Sequence, residues 1–191
     1  HFHFPDPDAS GRLFGVEYMK KIVADRMAIA AFIRDPFAHA WEMLTPVNFV
    51  RWLYEKPQLV KKTIDKLARF NVEMIGQLAD AGVDLIISGG DYCEKRGPMV
   101  PITYFREVVF PELKKQVDAA HKRGIKFIKH TDGNINPLLN DLGSIVDGLH
   151  SLDPTAGVDI GDVKAKYGER LILMGNVAVD SLARGSAKEV A

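Results

Sequence analysis

Four short apolar runs, each followed by a polar loop and then by a stretch of helical spacing, constrain this chain more than any other feature. They are VDLIIS (83–88), IKFIKH (125–130), VDGLHS (146–151) and RLILMG (170–175), and MAIAAF (27–32) makes a fifth nearer the start. Short runs of this kind read as strands. Strands that alternate with helices pair in parallel, because a helix is what carries the chain back across the sheet. The fold class is therefore α/β.

The intervening stretches support the same reading. GVEYMKKIVADR (15–26) and NFVRWLYE (48–55) are expected helices, as is the YFREVVFPELKKQVDAAHKRG stretch (104–124). IRDPFAHAWEML (33–44) turns into a helix with Asp35 as its N-cap and Pro36 at its first position. In the long helix from Pro57, Leu59, Ile64, Leu67, Ile75 and Leu78 recur at helical spacing, and Gly82 ends it. Shorter helices are expected near INPLLNDL (135–142), over IGDVKAKYG (160–168), and from NVAVDS (176–181) onward.

Two architectures accommodate five such strands: a doubly wound sheet of flavodoxin type, or part of a (β/α)₈ barrel. The chain opens HFHFPDPDASGR without a methionine and stops at SAKEVA, a helix just beginning. Those ends read as an interior piece of a longer protein and favour the partial barrel, with both of its ends missing. Residues 1–15, rich in Pro, Asp and Gly, are expected as a surface arm, with His1 and His3 in a disordered leader. Residues 16–191 are then expected as a single incomplete TIM-barrel domain.

Composition excludes several function classes. The 25 basic residues balance 25 acidic ones and the pI is near 7.2, which argues against nucleic acid or a basic membrane-binding face. No apolar stretch approaches the roughly 20 residues of a membrane span. The lone Cys93 permits no internal disulfide and fits a cytoplasmic location.

In either architecture function collects at the carboxyl ends of the strands. The loops there carry His39 and Glu42, then Asp91 and Tyr92, then His130, Asp132 and Asn134, then His150 and Asp153, and finally Asn176. The opposite turns, ADAGVD, HKRGIK and YGERL, hold no convergent chemistry. His130 and Asp132 are two apart on one strand, so they point the same way and could share a divalent ion. Asp132-Gly133-Asn134 is equally a turn and helix-cap signal. Asp91-Tyr92 supplies either an acid/base pair or the turn of a Gly-rich loop. Asp153-Pro154 is also a turn initiator. Trp41 and Trp52 sit at helical spacings with Phe and Leu, as core residues do, and His121 falls on a solvated helix end.

The order of several stretches resembles the uroporphyrinogen decarboxylase superfamily. They are PDPDASGR, DPFAHAWEML, DYCEKRGPMVPITYFREVVFPELKK, HTDGNINPLL, SLDP and YGERLILMGNV. That group includes the decarboxylase and the corrinoid-dependent methyltransferases, such as methylcobamide:coenzyme M methyltransferase. The resemblance implies a (β/α)₈ barrel whose first strands and last part are missing here.

For a methyltransferase or demethylase it implies a zinc at His130 and Asp132, a corrinoid methyl carrier or corrinoid protein as partner, and an acceptor thiol activated by the metal. The methyltransferases carry His-x-Cys at this place, so Asp132 stands where a cysteine is usual, and a later cysteine ligand would fall beyond Ala191. Asp91, Tyr92, His130 and Asp132 become the expected catalytic residues. His39, Glu42, Asn134, His150, Asp153 and Asn176 become expected substrate contacts. For a true decarboxylase of porphyrin biosynthesis the resemblance implies a tetrapyrrole substrate and no cofactor. Its arginine-rich head would precede His1, and a tyrosine it uses aligns most nearly with Glu42. A third alternative is a non-catalytic fragment that keeps only the fold. In every case, unpaired barrel edges would favour homo-oligomers.

Overall fold

The computed structural model describes residues 5–23 and 26–190. The histidines of the expected leader, His1 and His3, lie outside the described residues. Five parallel strands form the sheet, in the order β1 (Ala30–Arg34), β2 (Leu85–Gly89), β5 (Lys126–Thr131), β6 (Gly148–Ser151) and β7 (Ile172–Gly175). The order follows the chain without reversal, whereas a doubly wound sheet reverses at a switch point. Successive strands placed side by side are how a (β/α)₈ barrel is wound. The architecture is a partial, TIM-barrel-like sheet. Among the described residues β1 and β7 each pair on one side only.

The remaining two strands, β3 (Cys93–Glu94) and β4 (Gly97–Pro98), make a small antiparallel hairpin inside the loop after β2. The first strand begins three residues later than MAIAAF suggests and runs on through Arg34. Pairing decides this, because Ala30 faces Leu85 and Arg34 faces Gly89.

Helices cover one face of the sheet. The arm leads into α1 (Phe14–Val23), one residue earlier than its sequence pattern indicates. Next come α2 (Pro36–Leu44) and α3 (Pro46–Glu55). Asp35 caps α2 as expected: its Oδ1 accepts the amides of Phe37 at 2.9 Å and Ala38 at 3.4 Å. The long helix α4 (Pro57–Asp80) buries Val60, Ile64, Leu67, Ala68, Asn71, Ile75 and Leu78. Leu59 is a correction to the expected stripe, because it stands 44% exposed while its neighbour Val60 faces the core. Full burial of each Ile or Leu on this stripe contributes about 1.5–3 kcal/mol.

Pro111 shapes the next helix. It has no amide to donate to residue 107, so the chain passes from α5 (Ile102–Tyr104) through a π-helical turn, Phe105–Val109. It then enters α6 (Phe110–His121). Beyond it lie α7 (Leu139–Ile145), α8 (Ile160–Tyr167), α9 (Val179–Arg184) and α10 (Ala187–Val190). Ile86, Phe127 and Leu149 point from the sheet into the helix layer and are fully buried. The opposite face carries Phe32 at 62% exposure and Ile172 at 45%. That face is the concave one a barrel would enclose. No helix among the described residues is long and apolar enough to cross a membrane.

Candidate functional site

Register brings the ends of three strands into one row. Gly89 pairs with His130, and His130 pairs with His150, so all three face the concave side. The two imidazoles meet Nδ1 to Nδ1 at 2.9 Å, which requires one ring to donate and the other to accept. The Phe32 ring lies across Gly89, where any side chain would collide with it, and tilts against His130 at 6.4 Å between centroids. Glycine at 89 is therefore what lets an aromatic ring reach the histidine.

Asp91 and Asp132 complete a cluster with His130. One ligand atom from each of the three residues lies within 4.8 Å of the others, and all three residues are partly buried. The alternation of a strand puts 130 and 132 on one side. Asp91 arrives from the neighbouring loop, held by the Asp132 amide, which donates to Asp91 Oδ1 at 2.9 Å. Ser151 Oγ donates to Asp132 Oδ1. Each carboxylate keeps its Oδ2 outside those bonds. The turn that follows needs Gly133, with φ +80°, since a Cβ there would come within 2.6 Å of the Cys93 carbonyl oxygen.

Burial holds the His130 imidazole below its ordinary range, with the Asp132 carboxylate pulling the other way. A neutral imidazole beside two carboxylates is the donor set of a divalent-cation site with hard character. The residues fit a metal better than the sequence alone shows, because Asp91 raises two ligands to three.

The other expected site residues occupy varied positions. Asp153, with Asp132, Ser151, Lys95 and Thr155, lines an open cleft of about 300 Å³ beside the cluster. Asp153 also caps the following turn, accepting the Thr155 amide at 2.8 Å. Asn134 donates its amide to the Glu94 carbonyl at 2.9 Å and accepts Asn136 N at 3.2 Å, which ties the hairpin to the mouth. Asn176 follows β7 and is partly buried. His39 is partly buried on α2, and Glu42 is exposed and ion-paired with Arg34. Tyr92 is fully buried on the helix side, its hydroxyl donating to Asp35 Oδ2 at 2.7 Å, so it does not face the cluster. Cys93 is buried as well, and burial pushes its thiol up to about 12. His121 is half exposed and meets Asp147 at 2.7 Å, far from the mouth.

Sequence reasoning counts the most unusual residue near the site among the polar groups at the strand ends but gives it no role. Lys129 is completely buried and ion-paired with Asp35 at 3.2 Å, with its ammonium 4.1 Å from the centre of the Tyr92 ring. Burial pushes its pKa down, and Asp35 opposes that shift. The signal was present: in IKFIKH, Lys129 shares the parity of Phe127, which marks it as pointing into the helix layer.

The model of the family "Uroporphyrinogen decarboxylase (URO-D)" matches residues 9–191. No curated protein matches. Among solved structures, a methyltransferase from Methanosarcina mazei superposes with a TM-score of 0.74 at 22% identity, over 86% of this chain and 47% of the other. At that identity the likeness concerns the fold, and the chain spans about half the length of that neighbour.

Proposed function

Because the chain belongs to the uroporphyrinogen decarboxylase family, we propose that it is the site-bearing part of a corrinoid-linked methyltransferase or demethylase. The observation that carries this reading is the convergence of Asp91, His130 and Asp132 at the carboxyl end of the strands. Those three side chains would hold a divalent ion, zinc being the metal implied by the resemblance. When bound, such an ion acts as a Lewis acid that lowers the pKa of an acceptor group.

The chain's own residues do the rest. His150 orients the His130 ring through the Nδ1 contact. Phe32 walls the cluster on one side. The cleft lined by Lys95, Asp153 and Thr155 offers polar contacts to a substrate, and Asn134 and Asn176 lie on the loops around it. His39 and Glu42 sit further out on α2 and contribute at most to the approach of a large partner such as a corrinoid protein. With oxygen donors in place of thiolates, the site suits a harder ion than a sulfur-rich one would.

Metal analysis of the purified chain and of His130→Ala tests the reading. About one equivalent of divalent metal in the parent and little in the variant is the expected result. Absence of metal from both would remove the metal-assisted mechanism. The family's own name favours a second reading, cofactor-free decarboxylation of a tetrapyrrole. Turnover of uroporphyrinogen, unaffected by chelators and by His130→Ala, would support that alternative.

A further inference from the structure

We infer that Lys129 is a positioning residue for the mouth: it fixes the Gly90–Asp91 turn against the end of β5 so that Asp91 stays beside His130 and Asp132. The inference rests on reading those three residues as the ligand set. Lys129 itself touches neither a ligand side chain nor the cleft, because it projects from the opposite face of the strand.

An ammonium group has three N–H donors. Lys129 uses them on the Gly90 carbonyl at 2.7 Å, the His130 carbonyl at 3.0 Å and Asp35 Oδ2 at 3.2 Å, with the Ser88 carbonyl at 3.5 Å. These acceptors belong to the ends of three adjacent strands. Asp35 closes β1, Ser88 and Gly90 belong to the end of β2, and His130 is on β5. One buried cation thus binds together the three strand ends from which the cluster grows. Asp35 is itself fixed, by the two amides of α2 and by the Tyr92 hydroxyl.

The turn from 90 to 92 is stitched to 129–132 at successive points. The Gly90 amide donates to the His130 carbonyl at 3.3 Å, and the Tyr92 amide donates to Thr131 Oγ1 at 3.0 Å. Between them Asp91 Oδ1 accepts the Asp132 amide. The Lys129 contact to the Gly90 carbonyl anchors this turn from behind and links it to β1. A methionine would fill the same volume without burying a charge, so what the lysine adds is directed bonding.

The test compares the chain with Lys129→Met and with Lys129→Met/Asp35→Asn. The double variant removes both charges while asparagine keeps the helix cap. Amide hydrogen exchange reads local opening residue by residue. Positioning predicts that exchange at the Asp132 and Tyr92 amides accelerates roughly 10-fold or more in the double variant. The Phe127 amide, held by Asp147 at the other end of the same strand, would stay at its parent rate. Unchanged exchange at all three amides would overturn the proposal. So would equal acceleration everywhere, or failure of both variants to fold, since each assigns Lys129 to general stability.

A calorimetric titration with zinc gives a second readout, with affinity expected to fall roughly 10- to 100-fold in the double variant. Parent-like zinc affinity in a double variant would count against positioning. A parent chain that binds no zinc would sink the metal reading alone, and the exchange pattern would still decide the role of Lys129.

Discussion

Aspartates stand at both ends of the parallel sheet and are bonded in different ways. At the amino ends, Asp84 and Asp147 each immediately precede a strand and reach sideways to the lead of the neighbouring one. Asp84 Oδ2 accepts the Ile29 amide at 2.6 Å before β1, and Asp147 Oδ2 accepts the Phe127 amide at 2.9 Å in β5. Asp147 also holds His121 at 2.7 Å and Lys126 at 3.1 Å, so both its oxygens are engaged. At the carboxyl ends, Asp91 and Asp132 each commit one oxygen to the fold and keep the other. Asp84 registers its neighbouring strand with one oxygen and Asp147 with both, whereas carboxylates with a spare oxygen gathered around a histidine are suited to holding something else. Barrel folds show the same division, with stability at one end and chemistry at the other.

Lys129 gives the sharpest way to break this comparison, because it is a saturated group at the chemical end. Lys129→Met alone leaves the Asp35 carboxylate buried without its cation. Removing one partner of a buried pair costs about 3–5 kcal/mol, and guanidinium unfolding should show a loss of that size. A loss under about 1 kcal/mol would mean that the pair is worth no more than a surface one.

How legible this was follows from where each signal is stored. The α/β class and the strand positions were readable because apolar runs and turn residues are local. The Asp35 cap was readable for the same reason. The sheet order could be narrowed to two architectures but not chosen from periodicity, since pairing is non-local; the ordered stretches supplied that choice. At the site, His130 and Asp132 were visible because i and i+2 share a face. The third member, Asp91, was expected at the same mouth but not as a ligand, because 41 residues separate it from Asp132 and only the fold shows how near its carboxylate comes. Tyr92, adjacent to Asp91, went into the core, since its ring found Phe37, Phe105 and Phe110 there. The turn GVD was read as plain solvated loop. Only the register shows that its Asp84 pins the neighbouring strand, as Asp147 does before β6.

Asp147 provides the next test, at the structural end. Burial pushes its pKa up, but His121, the Phe127 amide and Lys126 together bring it below the ordinary carboxylate value. A depressed folded pKa contributes stability that is present above the unfolded value, near about 3.9, and is lost as pH falls through the folded value. Asp147→Asn should therefore cost about 2 kcal/mol at neutral pH, in line with lost charge-assisted hydrogen bonds. The gap between parent and variant should close as the solution is acidified below about pH 4. Urea unfolding at several pH values measures it. A gap that stays constant down to low pH would show that the carboxylate's charge contributes nothing.

The smallest stability effect should come from Asp132→Ala, and it sharpens the contrast most. The backbone amide of residue 132 survives the change, so its bond to Asp91 Oδ1 persists. What is lost is the acceptor for Ser151 Oγ, whose hydroxyl sits at the edge of the open cleft and can turn to water. One such bond is worth about 0.5–1.5 kcal/mol, and the variant should unfold within that margin of the parent. Metal uptake should nevertheless fall sharply, because two donors remain where three converged. Asp147→Asn, costlier to the fold, should bind metal like the parent while it stays folded. Should Asp132→Ala instead destabilise the chain as much as Asp147→Asn and leave metal uptake unchanged, the division of labour between the two ends of the sheet would be wrong.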